Sequence, residues 1–269
     1  MKQKSFLAAL LLLVTCLTVQ AQKVKINLVD GQTFRYDVEK VESITFDENV
    51  EFVDLGLPSG TLWASCNIGA AAPEDYGDYF AWGETKTKAM YGPDTYKWMN
   101  YWEKVSSTVA AINKYTVDDS YNGIWYSNGV FVGDGITTLL PEDDAATANW
   151  GSDWQTPTSD QFLELKQYTT QQWTTRTGKD GFQNHGYLFT SKKNGNYIFI
   201  PAAGLNGYDS TQGEDEVFRY WSASLYIRSY EAKSFVDYTT IDDTLPRGEL
   251  GNDGFGRYIG LPVRPVWKK

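Results

Sequence analysis

The 269-residue chain has one histidine, His185, and two cysteines, Cys16 and Cys66. A zinc site built from several imidazoles is therefore excluded, and any Ser-His-Asp relay would have to use His185. Its setting, "GFQNHGY", reads as a turn. If Cys16 leaves with an export signal, Cys66 stands alone and no intramolecular disulfide can form. Cys66 lies among Trp63, Ala64 and Ile68 and reads as a small buried hydrophobe rather than a nucleophile. Positive charge is also scarce, with 24 Lys and Arg against 34 Asp and Glu and a net charge of −10. Phosphate-rich partners are held by Lys and Arg, so nucleic acid is not an expected partner. Beyond the first residues no stretch approaches the roughly 18 consecutive apolar residues of a membrane helix.

What is present begins with a processing pattern. Lys2 and Lys4 precede the apolar run from Phe6 to Val14 and the small-residue exit Val19-Gln20-Ala21, as in a removable signal over residues 1–21. The expected location is exported: periplasmic, cell-surface or extracellular. Thr15 departs from the small residue that usually precedes a lipidated cysteine. Cleavage after Ala21 is thus preferred, with anchoring at Cys16 as the alternative. In residues 22–49, Val24, Ile26 and Leu28 alternate with Lys25 and Asn27, Asp30-Gly31 supplies a tight turn, and Thr33 to Val38 alternates again. This accessory β-hairpin, with a third short strand at Ser43 to Phe46, precedes a main domain over residues 50–269.

The main domain reads as short apolar runs broken by "GLPSG", "SNG", "GDG" and "KNGN". Two stretches carry helix signals instead. "PEDDAATANW" sets Pro141 and three acids before an alanine-rich run, and "TPTSDQFLELKQY" offers Thr158 or Ser159 as N-cap before Phe162 and Leu165. Strands with two helices predict an α+β domain. Aromatic residues make up 15% of the chain, and buried Tyr and Trp need partners for their O–H and N–H groups, so many should keep one end wet.

The phrases "EFVDLGLPSGTLWASCNIGA", "PEDYGDYFAWGET", "TTLLPEDDAATANWGSDWQTPTSDQFLEL", "NGNYIFIPAAG", "YWSAS" and "GLPVRPV" follow one another in this order. Together they resemble the fibrobacter-type major paralogous domain proteins of Bacteroidetes, within the C-type-lectin-like superfamily. The resemblance covers most of Glu51 to Val266. It implies two helices and a small, twisted, mostly antiparallel sheet, with "EDDAATANW" and "TSDQFLEL" helical and "NYIFIPAAG", "YWSAS" and "IGLPVRPV" in strands. Gln155 stands where the family has a basic residue.

That superfamily hosts unrelated functions, so the residues must decide. The Glu-Pro-Asn, Gln-Pro-Asp and Trp-Asn-Asp triplets of calcium-dependent sugar binding are absent, and Asn252-Asp253 reads as a turn. Asp118, Ser120, Asn122 and Gly123 imitate a calcium loop, but Gly129 occupies the place of its bidentate glutamate. No cofactor is expected; a structural calcium held by scattered oxygens stays open. The late cysteine pair of formylglycine-generating enzymes is missing. Carboxylates for glycoside hydrolysis are plentiful, but no motif marks out a pair.

In "FRYWSASLY" strand alternation puts Trp221, Ala223 and Leu225 on one apolar face, which predicts a core position for Trp221, and Tyr220, Ser222 and Ser224 on the other. The following segment, to Tyr258, lacks apolar rhythm and reads as loops rich in Tyr and Arg, the favoured chemistry of binding surfaces. Tyr226, Arg228, Tyr230, Arg257 and Tyr258 are the expected ligand-binding residues, with "WMNYW" at 98–102 as a rival aromatic cluster. The predicted function is a non-enzymatic module that binds a glycan or protein. The alternatives are a polysaccharide hydrolase and a structural subunit of a surface assembly; diversification of residues 218–266 by a retroelement is also left open.

Overall fold

The computed structural model describes residues 23–27, 33–37, 51–100, 111–118, 126–128, 130–178, 181–226, 230–240 and 247–267. The signal segment with Cys16, the strand expected at 43–46, Tyr101, Trp102, Arg228 and most of the loop 118–129 lie outside them. The chain divides into two units, Met1–Glu48 and Asn49–Lys269. In the first, β1 (Lys23–Asn27) pairs antiparallel with β2 (Thr33–Asp37), Asn27 opposite Thr33, as the alternating pattern predicts.

In the second unit a four-stranded sheet has the order β10 (Trp154–Gln155), β20 (Val266–Trp267), β4 (Leu62–Ala64), β3 (Phe52–Asp54). Two three-stranded sheets follow the chain order. One is β11 (Thr169–Thr177), β12 (Gln183–Ser191) and β13 (Tyr197–Pro201); the other is β16 (Arg219–Leu225), β17 (Glu231–Asp237) and β18 (Leu250–Gly256). Short pairs join β5 (Tyr79–Phe80) to β19 (Leu261–Pro262), β6 (Met99–Asn100) to β7 (Ala111–Ile112), β8 (Tyr126–Ser127) to β9 (Val130–Phe131), and β14 (Leu205–Gly207) to β15 (Ser210–Gln212). Every pair of described strands is antiparallel. With the helices α1 (Ala145–Trp150) and α2 (Ser159–Tyr168), the architecture is mixed, α+β.

Both helices begin where their capping residues dictate. Pro141–Asp143 forms a single 3-10 turn, and the α-helix starts only after Asp144, whose carboxylate accepts from the amides of Ala146 and Thr147. Thr158 rather than Ser159 caps α2, exchanging hydrogen bonds with Gln161 in a capping box. Phe162 and Leu165 turn inward from α2, and Phe162 stacks on Phe235 at 4.7 Å.

Strand β16 is where the alternation argument falls short. Trp221 is buried as expected, 1% exposed, and its indole N–H donates to the Phe80 carbonyl at 2.7 Å. The opposite face is buried too. Trp221 and Leu225 belong to one apolar cluster with Phe80, Trp82, Trp98 and Tyr115; Phe218 and Tyr220 belong to another with Phe162, Tyr187 and Phe235. β16 is thus a wall between two cores. Its polar residues fit because each finds a partner: the Tyr220 hydroxyl donates to the Pro201 carbonyl at 2.6 Å, and Ser222 Oγ to the Lys233 carbonyl at 2.8 Å. Between Trp221 and Leu225 the register shifts, and Ala223 and Leu225 bond instead to Pro157 and Thr137.

Three local readings are corrected. His185 lies inside the nine-residue strand β12, not in a turn. The neighbouring Gly186 reflects close strand approach: a Cβ there would come within 2.3 Å of the Ile200 carbonyl oxygen. The segment read as loops contains β17 and β18, and Asn252-Asp253 is strand rather than turn. β18, "LGNDGFG", lacks apolar rhythm because neighbouring rings cover its glycines. Cys66 is half-buried rather than fully enclosed.

Arg264, in the "GLPVRPV" phrase, has no exposed surface. Its guanidinium donates to Asn67 Oδ1 at 2.8 Å and to the carbonyls of Ala64 (3.2 Å), Ser65 (2.5 Å) and Phe199 (3.0 Å). The C-terminal segment is thereby tied to the strand β4 exit and to β13. Replacing Trp221 with Ala should lower the unfolding free energy by about 3–5 kcal/mol, because the cavity opens in a wall with a packed core on each side. Urea denaturation of the variant measures it, and a wild-type midpoint would contradict the burial.

Candidate functional site

The β17–β18 register sets Lys233 opposite Gly254 and Glu231 opposite Gly256. Both glycines lie under tyrosine rings. A Cβ at Gly254 would stand 2.6 Å from Tyr226 Cδ1, and one at Gly256 would stand 3.1 Å from Tyr258 Cε1. The rings therefore rest on bare backbone. Tyr226 and Tyr258 are half-buried, as are Glu231 and Lys233. Tyr226 is held at the end of β16 by its amide, which donates to the Glu231 carbonyl at 3.2 Å. Tyr230 is half-buried against the first core, and its carbonyl accepts from the Arg257 amide at 3.3 Å.

Arg257 does not belong to this face, contrary to expectation. It is 0% exposed. Its guanidinium sits 4.7 Å from the Trp82 ring centroid, with Tyr96, Trp98 and Tyr115 between 5.5 and 5.7 Å. Nε donates to Tyr96 Oη at 2.9 Å, and the terminal nitrogens donate to the carbonyls of Tyr115 (3.2 Å) and Lys114 (3.0 Å). Burial pulls its pKa below the ordinary arginine value, while Tyr96 pulls it the other way. Trp98, from the rival cluster "WMNYW", is a wall of this cage and so a core residue.

Tyr115 adopts φ of 59°, in the left-handed region. The adjacent peptide groups are clamped from two sides: the amides of Tyr115 and Thr116 donate to Asp134 at 2.6 and 2.8 Å, while the carbonyls of Lys114 and Tyr115 accept from Arg257. The carboxylate and guanidinium are thus coupled through backbone dipoles.

Tyr208 was not singled out from sequence. It occupies the turn of the β14–β15 hairpin, is 63% exposed, and has φ of 59°. Its amide and carbonyl both bond to Tyr91 at 2.6 Å, and its ring lies 3.7 Å from a Cβ built at Gly92. Asn206 and Gly260 also exchange bonds, at 2.8 and 2.9 Å, which brings the hairpin beside Tyr258. Burial, followed by Tyr208 and Glu231, pushes the Tyr258 pKa up, so the phenol remains a neutral donor. In the sequence Tyr208 sits in "GLNGYDS", whose turn chemistry signals the hairpin but not the exposed ring. A left-handed backbone at an exposed aromatic costs roughly 1–2 kcal/mol, and such strain concentrates at functional positions.

Tyr208, Tyr226 and Tyr258 thus offer half-covered or open rings and hydroxyls over a floor without side chains. This arrangement can pack against a ligand and donate hydrogen bonds. Two buried carboxylates, Asp143 and Asp144, are engaged within the fold. Asp143 accepts from Lys97 (2.8 Å), Lys114 (2.5 Å) and Tyr115 Oη (2.7 Å), and Asp144 accepts from the Thr156 amide (2.9 Å) and hydroxyl (2.8 Å) as well as capping α1. His185 Nδ1 lies 2.7 Å from Asp215 Oδ2, with the Trp173 ring nearly parallel at 5.8 Å. Among the described residues no hydroxyl bonds to the His185 ring, and no group of three or more His, Cys, Asp or Glu is placed to hold a metal ion. No helix among them is long and apolar enough to cross a membrane.

Burial alone would raise the Asp143 pKa, but the hydrogen bonds from Lys114, Lys97 and Tyr115 outweigh it and hold the carboxyl below its ordinary 3.8. A depressed carboxylate stabilises the fold above its unfolded pKa and loses that contribution as pH falls through the folded value. Asp143→Asn should therefore be less stable than wild type at neutral pH, with a gap that narrows below about pH 4. Denaturation midpoints from pH 7 to pH 2 test this; a constant gap would contradict it. Tyr208→Gly should hold or raise the melting temperature despite losing its ring contact, since glycine relieves the left-handed strain. A marked fall by calorimetry would show that the ring is structural.

Comparison of the chain with protein-family models, curated proteins and solved structures gives no match, so the functional reading rests on the geometry of this face and on the sequence.

Proposed function

We propose that the chain is an exported, non-enzymatic binding module of C-type-lectin-like fold, holding a glycan or protein ligand against Tyr208, Tyr226 and Tyr258. The observation that carries this reading is the exposed Tyr208, kept in a strained conformation by two backbone bonds to Tyr91. Tyrosine supplies large contact area and a hydroxyl at low entropic cost, which is why it dominates binding surfaces. Arg228, expected from the sequence to bind ligand, lies outside the described residues. The signal pattern in residues 1–21 supports export. The antiparallel sheets and two helices at "AATANW" and "SDQFLELKQY" support the fold-family assignment.

The test is the purified chain on glycan and protein arrays, followed by Tyr208→Ala, Tyr226→Ala and Tyr258→Ala. At least one substitution should weaken the ligand found by roughly 30-fold, the scale of a binding hot spot. Melting temperatures should stay near wild type for Tyr208→Ala, because exposed positions usually shift stability within about 0.5 kcal/mol. Empty arrays, unchanged affinity in all three variants, or turnover of a polysaccharide that vanishes when one acid becomes its amide would each overturn the reading.

A further inference from the structure

β18 is the outer strand of its sheet, and its backbone groups can be followed one by one. The amides of Tyr238 and Arg257 bond to the carbonyls of Glu249 and Tyr230 across the β17–β18 ladder. In an antiparallel pair, hydrogen-bonded and non-bonded positions alternate. Gly251, Asp253 and Phe255 therefore face β17, and Leu250, Asn252, Gly254 and Gly256 turn their backbone groups to the outer edge. Three of the four outward carbonyls are already engaged. Leu250 accepts from Lys166 Nζ, Asn252 from Tyr238 Oη at 2.6 Å, and Gly256 from the Ile259 amide at 3.0 Å. The Leu250 amide donates to Gly248 at 2.8 Å. Among the described residues nothing pairs with the outward amides of Asn252, Gly254 and Gly256 or with the Gly254 carbonyl.

This edge has three donors at alternate residues, spaced about 6.8 Å apart, and one acceptor at the middle residue. That spacing is the repeat of carbonyls along one side of an extended peptide. The strand itself carries little defence of an exposed edge: Leu250–Gly256 contains no lysine or proline, and its one acid, Asp253, is paired with Arg219 at 3.3 Å. Residues 252 to 256 are half-buried, and the Tyr226 and Tyr258 rings lie over Gly254 and Gly256, where an added strand's side chains would find aromatic surface.

We infer that the ligand of this face is an extended peptide segment that adds as a strand to the outer edge of β18, centred on Gly254. This rests on the binding reading above and narrows its ligand class. The mode is strand addition, in which the main chain supplies affinity and the flanking rings supply selectivity. Only the peptide residue bonded to the Gly254 carbonyl can donate its own N–H. Its neighbours two residues away find the Asn252 and Gly256 carbonyls occupied.

The probe is a displayed library of random 12-residue peptides selected against the full chain, with the best binder resynthesised carrying one backbone N-methyl group at a time. One N-methyl position should weaken binding by about tenfold or more, and positions two residues to either side should change it little. Amide exchange by NMR should be fast at Asn252, Gly254 and Gly256 in the free chain and slow in the complex, while Asp253 and Phe255 are protected in both. A peptide or glycan weakened by Tyr258→Ala that leaves those three amides fast would overturn strand addition and leave the binding face intact. Strand addition alone is likewise overturned if no library peptide binds while the arrays return a glycan. If neither peptide nor glycan responds to the tyrosine variants, both readings fail. Protection of the three amides that grows with protein concentration alone would assign the edge to a second copy of the chain and overturn the peptide.

Discussion

An arginine removed from water must be solvated by the protein, and this fold satisfies that demand twice. Arg264 and Arg257 both have no exposed surface, and main-chain carbonyls, Asn67 and Tyr96 are among the groups that receive their protons. The cost of burying an isolated charge is several kcal/mol, so these carbonyls cannot be placed loosely. Arg264 fixes the segment after β4 and the middle of β13. Arg257 fixes the turn at Lys114-Tyr115 and, through it, the loop that carries Asp134. Segments far apart in sequence, with little regular structure of their own, are thus held by donors with a rigid planar geometry.

The two cores follow from the same demand. With β16 buried on both faces, aromatic residues must fill both sides, and their polar atoms need partners inside. Trp221 donates to Phe80, Trp82 to the Ser222 carbonyl at 2.8 Å, and Tyr220 to Pro201. Each bond crosses from β16 to a short strand or an irregular segment. Much of the chain is short strands and turns, so side-chain to backbone bonds take the place of long ladders.

How legible this was in the sequence varied with the physics. Period and capping are local, so the β1–β2 hairpin pairing and both helices could be read from residues alone, down to the choice between Thr158 and Ser159 as alternatives. Trp221 was recognisable because its own face is apolar. The buried second face was not, since Tyr220 and Ser222 are polar residues whose partners lie far away in sequence. Arg257 was misplaced for the same reason: next to Tyr258 and a glycine it resembles a surface residue, and the cage of Trp82, Tyr96, Trp98 and Tyr115 comes from other segments. β18 was hidden because its glycines carry no apolar rhythm, and in "GNDGFG" only Gly254 and Gly256 stand two apart.

Glycine at alternate positions links the stability of this sheet to its openness. Without side chains at Gly254 and Gly256, β18 cannot cover itself, and Tyr226 and Tyr258 are drawn over it from neighbouring segments. Rings held this way are half-buried, which limits their motion, yet one side stays accessible. Tyr208 is the complement: it covers little, stands out from a tight hairpin, and keeps a backbone conformation that glycine would adopt more easily. A residue that contributes little packing and carries local strain is held by its neighbours, here by the two backbone bonds to Tyr91. The rigid cores behind it, pinned by two buried arginines, are what allow the strain to persist.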